Sequence, residues 1–171
     1  MKFLEFLYFK SRMPNTLPKV LNSSNLLNVL KDYRDRKKKI VFTNGCFDLL
    51  HVGHIRYLEQ AKSLADILIV GINSDQSVQI LKGPTRPIQS ESDRAEILAS
   101  LKSVDHTIIF NEETPQVLIQ SIKPDLLVKG GDWKLDQIVG SDFVLSYGGE
   151  VKSLQFVNGR STTLIVEKSK S

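Results

Sequence analysis

From Ser23 onward, short apolar runs and longer periodic segments take turns along the chain. In "SSNLLNVLKDYRDRKKK" the apolar positions Leu26, Leu27 and Leu30 follow helical spacing, behind a serine (Ser23 or Ser24) able to cap the first turn. "KIVFT" (39–43) is β-branched and aromatic and halts at Asn44-Gly45, which predicts a buried strand. Ile55, Leu58, Ala61 and Ala65 predict a helix over 52–65, and "ILIVGI" (67–72) a second strand. The stretch "NSDQSVQILKGPTRP" (73–87), with two prolines and a glycine near its end, reads as a loop. A helix over 90–102 turns Ala95, Leu98 and Leu101 inward, and "HTIIF" (106–110) is a third strand. "TPQVLIQSI" is helical, with Pro115 near its start where proline is tolerated. "DLLVKGG" (125–131) is a fourth strand, "DFVLSYGG" a short helix, "EVKSLQF" a fifth strand, and "GRSTTLIVEK" a loop running into a C-terminal helix.

Alternation with continuously apolar strands implies a parallel sheet covered on both faces. The expected fold is α/β: a single-domain, Rossmann-like parallel sheet of about five strands with helices on both faces. Ligands of such sheets bind beyond the carboxyl ends of the strands, where the winding direction reverses. Three polar, glycine-bearing segments fall at that edge: Asn44–Asp48 after the first strand, Lys129–Trp133 after the fourth, and Ser161–Thr163 after the fifth.

A chain of 171 residues, 41% hydrophobic and 25% charged, suits one globular domain, with 23–171 as the domain and 1–22 as an extension, disordered or docking. The opening "MKFLEFLYFKSRMP" is broken by Glu5 and lacks a cleavage site, so it is not expected to be a secretion signal, and it is too short to span a bilayer. Phe3, Phe6 and Phe9 recur every third residue, as in a docking turn of helix; translation could also begin at Met13. One cysteine, Cys46, cannot form an internal disulfide and suits a reducing compartment, so a cytoplasmic location is expected. A net charge of +4 favours phosphorylated small molecules and nucleic acid alike. The basic run "RDRKKK" lacks interleaved aromatics, and neither a nucleic-acid nor a membrane partner is expected.

Two of the chain's three histidines, His51 and His54, stand in "FTNGCFDLLHVGH". At a helix start, positions i and i+3 share a face, so both imidazoles can meet one point, together with free backbone N–H groups and the positive end of the helix dipole. Gly53 between them lets a large ligand approach the backbone. The arrangement suits a phosphate chain. A metal site would need further ligands that no usable spacing supplies, and the bland alternative is a pair of histidines that only caps a helix. Neither a P-loop nor a dinucleotide fingerprint is present. Lys82, in "LKGPTRP", sits in a loop made rigid by Pro84 and Pro87 and reads as a lysine held for use, with Arg86 and Arg94 as further cations; each taken singly could equally be solvated surface. Ser161, Thr162 and Thr163 either cap the last helix or form a second phosphate cradle.

"NGCFDLLHVGH" resembles the GxFDxxHxGH signature of the cytidylyltransferase-like nucleotidyltransferases, and "STT" resembles that superfamily's second signature. Within it, "KIVFTNGCFDLLHVGHIRYLEQAKSLAD", "LKGPTRPI", "PDLLVKGGDW", "IVGSDFV", "GGEV" and "GRSTT" look most like the D-glycero-β-D-manno-heptose 1-phosphate adenylyltransferases, over roughly residues 25–168. The resemblance implies transfer of AMP from ATP to that sugar phosphate, giving ADP-heptose for lipopolysaccharide core synthesis. It implies the stand-alone form, since this chain is too short to hold a fused sugar kinase. It further implies Mg²⁺ carried by the ATP phosphates rather than by protein ligands, and a homo-oligomer, by resemblance a dimer. By position, the backbone at Cys46 and Phe47 would hold the α-phosphate, with Asp48 bracing the turn. His51 and His54 would bind the triphosphate and stabilise the pentavalent transition state. Lys82 would bridge α-phosphate and acceptor; Arg94 would hold the acceptor phosphate or the β-phosphate. Gly130, Gly131 and Asp132 would line the adenine and ribose end, and Ser161, Thr162 and Thr163 the β- and γ-phosphates.

Glycerol-3-phosphate cytidylyltransferase shares both signatures and is the rival enzyme; its counterpart of "KGGDW" reads closer to "MGDDW". A non-catalytic nucleotide-binding module is the rival from another class, since fold alone does not confer activity.

Overall fold

The structure, a computed structural model, describes residues 18–155 and Thr162. Its elements run β1 (Val20–Leu21), α1 (Ser23–Asp35), β2 (Ile40–Gly45), α2 (Val52–Lys62), β3 (Ile67–Asn73), α3 (Asp75–Lys82), α4 (Glu91–Ala99), β4 (His106–Phe110), α5 (Gln116–Ile122), β5 (Leu126–Gly130), a 3-10 turn (Leu135–Gln137), α6 (Ser141–Ser146) and β6 (Glu150–Leu154). The six strands form one parallel sheet in the order β1-β4-β3-β2-β5-β6.

The apolar strands are continuous because both faces are covered. Along β3, Ile67 and Ile69 pack into one layer with Leu30 of α1 and Ile119 of α5, while Leu68, Val70 and Ile72 pack into the other with Leu58 of α2 and Leu98 of α4. Period-two side chains feed two cores from one strand, so no residue of β3 can be polar-facing until Asn73 at its end.

Three sequence expectations change. The sheet has six strands, not about five: Val20 and Leu21 pair with Thr107 and Ile108 at the β4 edge, inside the segment set aside as an extension. Residues 1–17 lie outside the described residues. The cap of α1 is Asn22 rather than a serine; its Oδ1 accepts the N–H groups of Ser24 and Asn25, each at 3.1 Å. And the expected loop over 73–87 contains α3, capped by Ser74, which accepts the Ser77 N–H at 3.3 Å. Only Val78 of its apolar residues is buried while Ile80 and Leu81 are exposed, so no apolar stripe marks the helix in sequence.

His106 is committed to the frame. Its Nδ1 donates to the Pro18 carbonyl at 2.6 Å, leaving Nε2 to accept the Tyr33 hydroxyl at 2.7 Å, which ties β1 and α1 to β4. Among the described residues no helix is long and apolar enough to cross a membrane.

The site lies where the winding reverses. From β2 the chain crosses to β3 and β4 on one side; β5 and β6 lie on the other. Pairing of β2 with β5 covers Val41–Leu126 and Phe42–Leu127 and ends there, although the strands run on to Gly45 and Gly130. Their carboxyl ends therefore part, and the split is a crevice.

Candidate active site

The loop leaving β2 is held in an unusual conformation. Phe47 and Leu49, both bulky, have φ of 48° and 67°, each costing on the order of 1–3 kcal/mol of backbone strain. Three anchors hold them there. Phe47 is buried against the core of α2. The buried Asp48 carboxylate accepts the N–H groups of Ile88 at 2.9 Å and Gln89 at 3.2 Å, and pairs with the Arg86 guanidinium. Arg94, fully buried, donates to the Cys46 carbonyl at 2.6 Å, to the Gln89 carbonyl at 3.1 Å and to Asp75 at 2.7 Å. The 83–90 connection is thus tied to the loop, and bracing by Asp48 is its observed work. Arg94 is not placed to take a phosphate: its guanidinium is spent on protein oxygens, and it lies outside the cavity. Arg86 is committed in the same way.

Helix α2 begins with a capping box built from histidines. His51 Nδ1 accepts the Gly53 N–H at 3.1 Å, and His54 Nδ1 accepts the His51 N–H at 3.4 Å. The rings stack with centroids 3.9 Å apart, and Phe47 meets His54 edge-on at 5.3 Å. The capping alternative is therefore partly right, and it does not exclude the functional one. A neutral imidazole whose Nδ1 accepts a hydrogen bond carries its proton on Nε2, so the cap presets each ring as an Nε2–H donor. Burial, then the neighbouring His51 and Lys82, pull His54 down to about 4, so it is a neutral donor near pH 7.

A pH prediction follows. The folded state keeps His54 neutral down to about pH 4, whereas an unfolded chain takes up the proton below about 6.5. The unfolded state binds more protons in that window, so stability falls as pH drops from about 6.5 toward about 4. Melting curves of wild type and His54→Gln across that window should show a flatter fall for the variant; parallel curves would remove the assignment.

The crevice opens into a cavity of about 390 Å³. Cys46, Phe47, Asp48, His54, Lys82, Gly130 and Thr162, all singled out from sequence, line it. His51, Gly53, Arg94, Gly131 and Asp132 do not; His51 reaches it through its stack on His54. Thr162 donates to the Leu49 carbonyl at 3.3 Å, joining the second signature to the first loop. Ser161 and Thr163 lie outside the described residues. Lys82 ends α3 beside Gly83, whose φ of 92° turns the chain away; the lysine is held by a helix end, not by a proline loop. Asn44 and Lys129, which the sequence placed at this edge without a role of their own, also line the cavity, as does Asn73, which sequence reasoning missed. A charge inside the apolar run "LLVKG" was the available sign for Lys129. Among the described residues no cluster of three His, Cys, Asp or Glu could hold a metal ion.

Known proteins match this frame. Residues 42–168 match the model of the cytidylyltransferase-like family. The chain is 52% identical over 150 residues to the bifunctional protein HldE of Syntrophotalea carbinolica, covering 88% of this chain and 31% of that protein. It is 49% identical over 164 residues to the bifunctional protein HldE of Wolinella succinogenes, covering 96% of this chain and 34% of that one. The chain thus spans about a third of the length of the curated relatives it matches. The crystal structure of the lipopolysaccharide core biosynthesis protein from Thermoplasma volcanium is similar with a TM-score of 0.58 and 32% identity, covering 70% of this chain and 97% of that one. With its match extending from within β2 past Thr162, the chain belongs to the cytidylyltransferase-like family and is a nucleotidyltransferase.

Proposed function

We propose that the chain transfers AMP from ATP to D-glycero-β-D-manno-heptose 1-phosphate, giving ADP-heptose and pyrophosphate for lipopolysaccharide core synthesis in the cytoplasm. The observation that carries this reading is the meeting of His54, Lys82 and Thr162, from three distant stretches, at one cavity beside the Cys46–Phe47 backbone. Similarity to the HldE proteins and to the lipopolysaccharide core biosynthesis protein supports the reading.

A phosphate oxygen of the acceptor attacks the α-phosphorus of ATP; a new P–O bond forms as the bond to the bridging oxygen breaks, and pyrophosphate leaves. The acceptor is already anionic, so no side chain has to remove a proton. The chain's task is to align two polyanions and receive developing charge. The N–H groups of the Cys46–Phe47 loop hold the α-phosphate. The Nε2–H groups of His51 and His54, at the positive end of α2, hold the triphosphate and the leaving oxygens. Lys82, exposed at the rim, meets the incoming phosphate. Gly130, Gly131 and Asp132 take the nucleoside end, and Ser161 to Thr163 the outer phosphates. Mg²⁺ would arrive on those phosphates and would shield charge there. Arg94 and Asp48 act by holding the loop.

The test is pyrophosphate release with Mg²⁺, pairing ATP or CTP with heptose 1-phosphate or glycerol 3-phosphate. Release with ATP and the heptose alone is expected. Release with CTP and glycerol phosphate would keep site and mechanism but replace both substrates, and silence in all four mixtures would favour another acceptor or a binding module.

A further inference from the structure

Among the described residues, Lys129 is the one cavity-lining cation that sits in the crevice itself. It leaves β5 where β5 parts from β2, and its Nζ spans the split toward Asn44, 3.3 Å from the side-chain oxygen and 3.4 Å from the carbonyl. Charge-assisted N–H···O bonds normally close to about 2.7–2.9 Å, so Asn44 holds this ammonium loosely. The other cations withdrawn from solvent near the site are matched by carboxylates, Arg86 by Asp48 and Arg94 by Asp75. Among the described residues no carboxylate pairs with Lys129. A charge held away from water is costly unless paired. Burial accordingly pulls the ammonium below the usual lysine range, and the nearby Cys46 sulfur pulls the other way.

On the reading of the preceding subsection, we propose that Lys129 is a further phosphate-binding residue of the site, engaging the α-phosphoryl group from the β5 side. The Cys46–Phe47 backbone faces that group from the β2 side, and Lys82 meets it from the rim. The placement is asymmetric in a useful way. Lys82 is exposed and can follow a mobile acceptor, whereas Lys129 springs from a strand end and holds a fixed point in the crevice. In the free protein Asn44 occupies the ammonium; with nucleotide bound, an α-phosphoryl oxygen replaces that loose contact. No proton moves and no bond to Lys129 forms. The lysine supplies charge where the pentavalent phosphorus gathers it.

Calorimetric titration of the full chain distinguishes phosphate binding from a purely structural bridge across the split. Wild type, Lys129→Met and Lys129→Arg are titrated with ATP, AMP and adenosine. The methionine variant should bind ATP and AMP about ten- to a hundredfold more weakly, the loss of one hydrogen bond to a charged group. Adenosine affinity should stay within about twofold, and arginine should restore most of the ATP affinity. Unchanged ATP affinity in Lys129→Met would overturn the proposal. So would an equal loss for adenosine, which is what collapse of the crevice would produce. If wild type takes CTP instead, the adenylyl reading fails, and CTP, CMP and cytidine make the same comparison for Lys129.

Discussion

Replacing His54 with alanine should cut turnover by a factor of about a hundred or more, the loss that follows removal of one preorganised transition-state donor. The geometry says why the effect belongs to kcat rather than to stability. The Nδ1 contact with the His51 N–H is long at 3.4 Å, so its loss costs the helix little. What disappears is a neutral Nε2–H, held by the stack on His51 and the edge of Phe47, at the positive end of α2. A neutral donor strengthens its bond as charge gathers on the leaving oxygens, which is the condition for catalysis. Steady-state assays with a melting curve for each variant are the check: kcat should fall, KM for nucleotide should change less, and the melting point should hold. Near-normal turnover would sink the clamp.

Asp48→Ala should be the most destabilising substitution at the site. It would leave the Arg86 guanidinium and the N–H groups of Ile88 and Gln89 without their acceptor. Removing one partner of a buried ion pair costs about 3–5 kcal/mol, and a domain of this size loses about 2–4 °C per kcal/mol, so a melting point lower by roughly 10 °C is expected. Activity should fall as well, because the brace holds Phe47 and Leu49 in left-handed backbone. A double variant with Arg86→Met should lose less than the sum of the single losses, since it leaves no unpaired charge. A melting point within about 2 °C of wild type would refute the brace. Burial alone would raise the Asp48 carboxyl, but the Gln89 and Ile88 N–H groups and Arg86 outweigh it and hold it below the usual carboxylate range. Its stabilisation is therefore present above that range and lost only as pH falls through the depressed value.

The two arginines and the two lysines show where reading by residue type stops. In sequence, Arg86 and Arg94 are cations close to Lys82, and all three are candidates for phosphate. Only the path of the chain tells them apart. Arg94 lies on the inner face of α4, against the β2 loop, and is used up by carbonyls and Asp75. Lys82 ends a helix that points at the cavity. Lys129 carried a sign, a charge near the end of an apolar strand, but its weight depends on the split between β2 and β5, which no local pattern encodes. The short β1 was hidden for a related reason. Two residues carry no periodicity, and Val20–Leu21 is a strand only because the edge of β4 offers it partners.

By itself the sequence determined the alternation, hence a parallel sheet covered on both faces, because the period of apolar residues is set by backbone geometry one element at a time. It also determined the histidine pair at a helix start and the distant Ser-Thr-Thr, since spacing within a turn and order along the chain survive in one dimension. The tertiary structure alone decided which polar groups have partners. It matched Asp48 with Arg86 and Arg94 with Asp75, and left Lys129 in the crevice without a carboxylate among the described residues. The reason is physical: the state of a buried polar group depends on what stands within about 3 Å of it, and those neighbours come from elements 19 to 85 residues away.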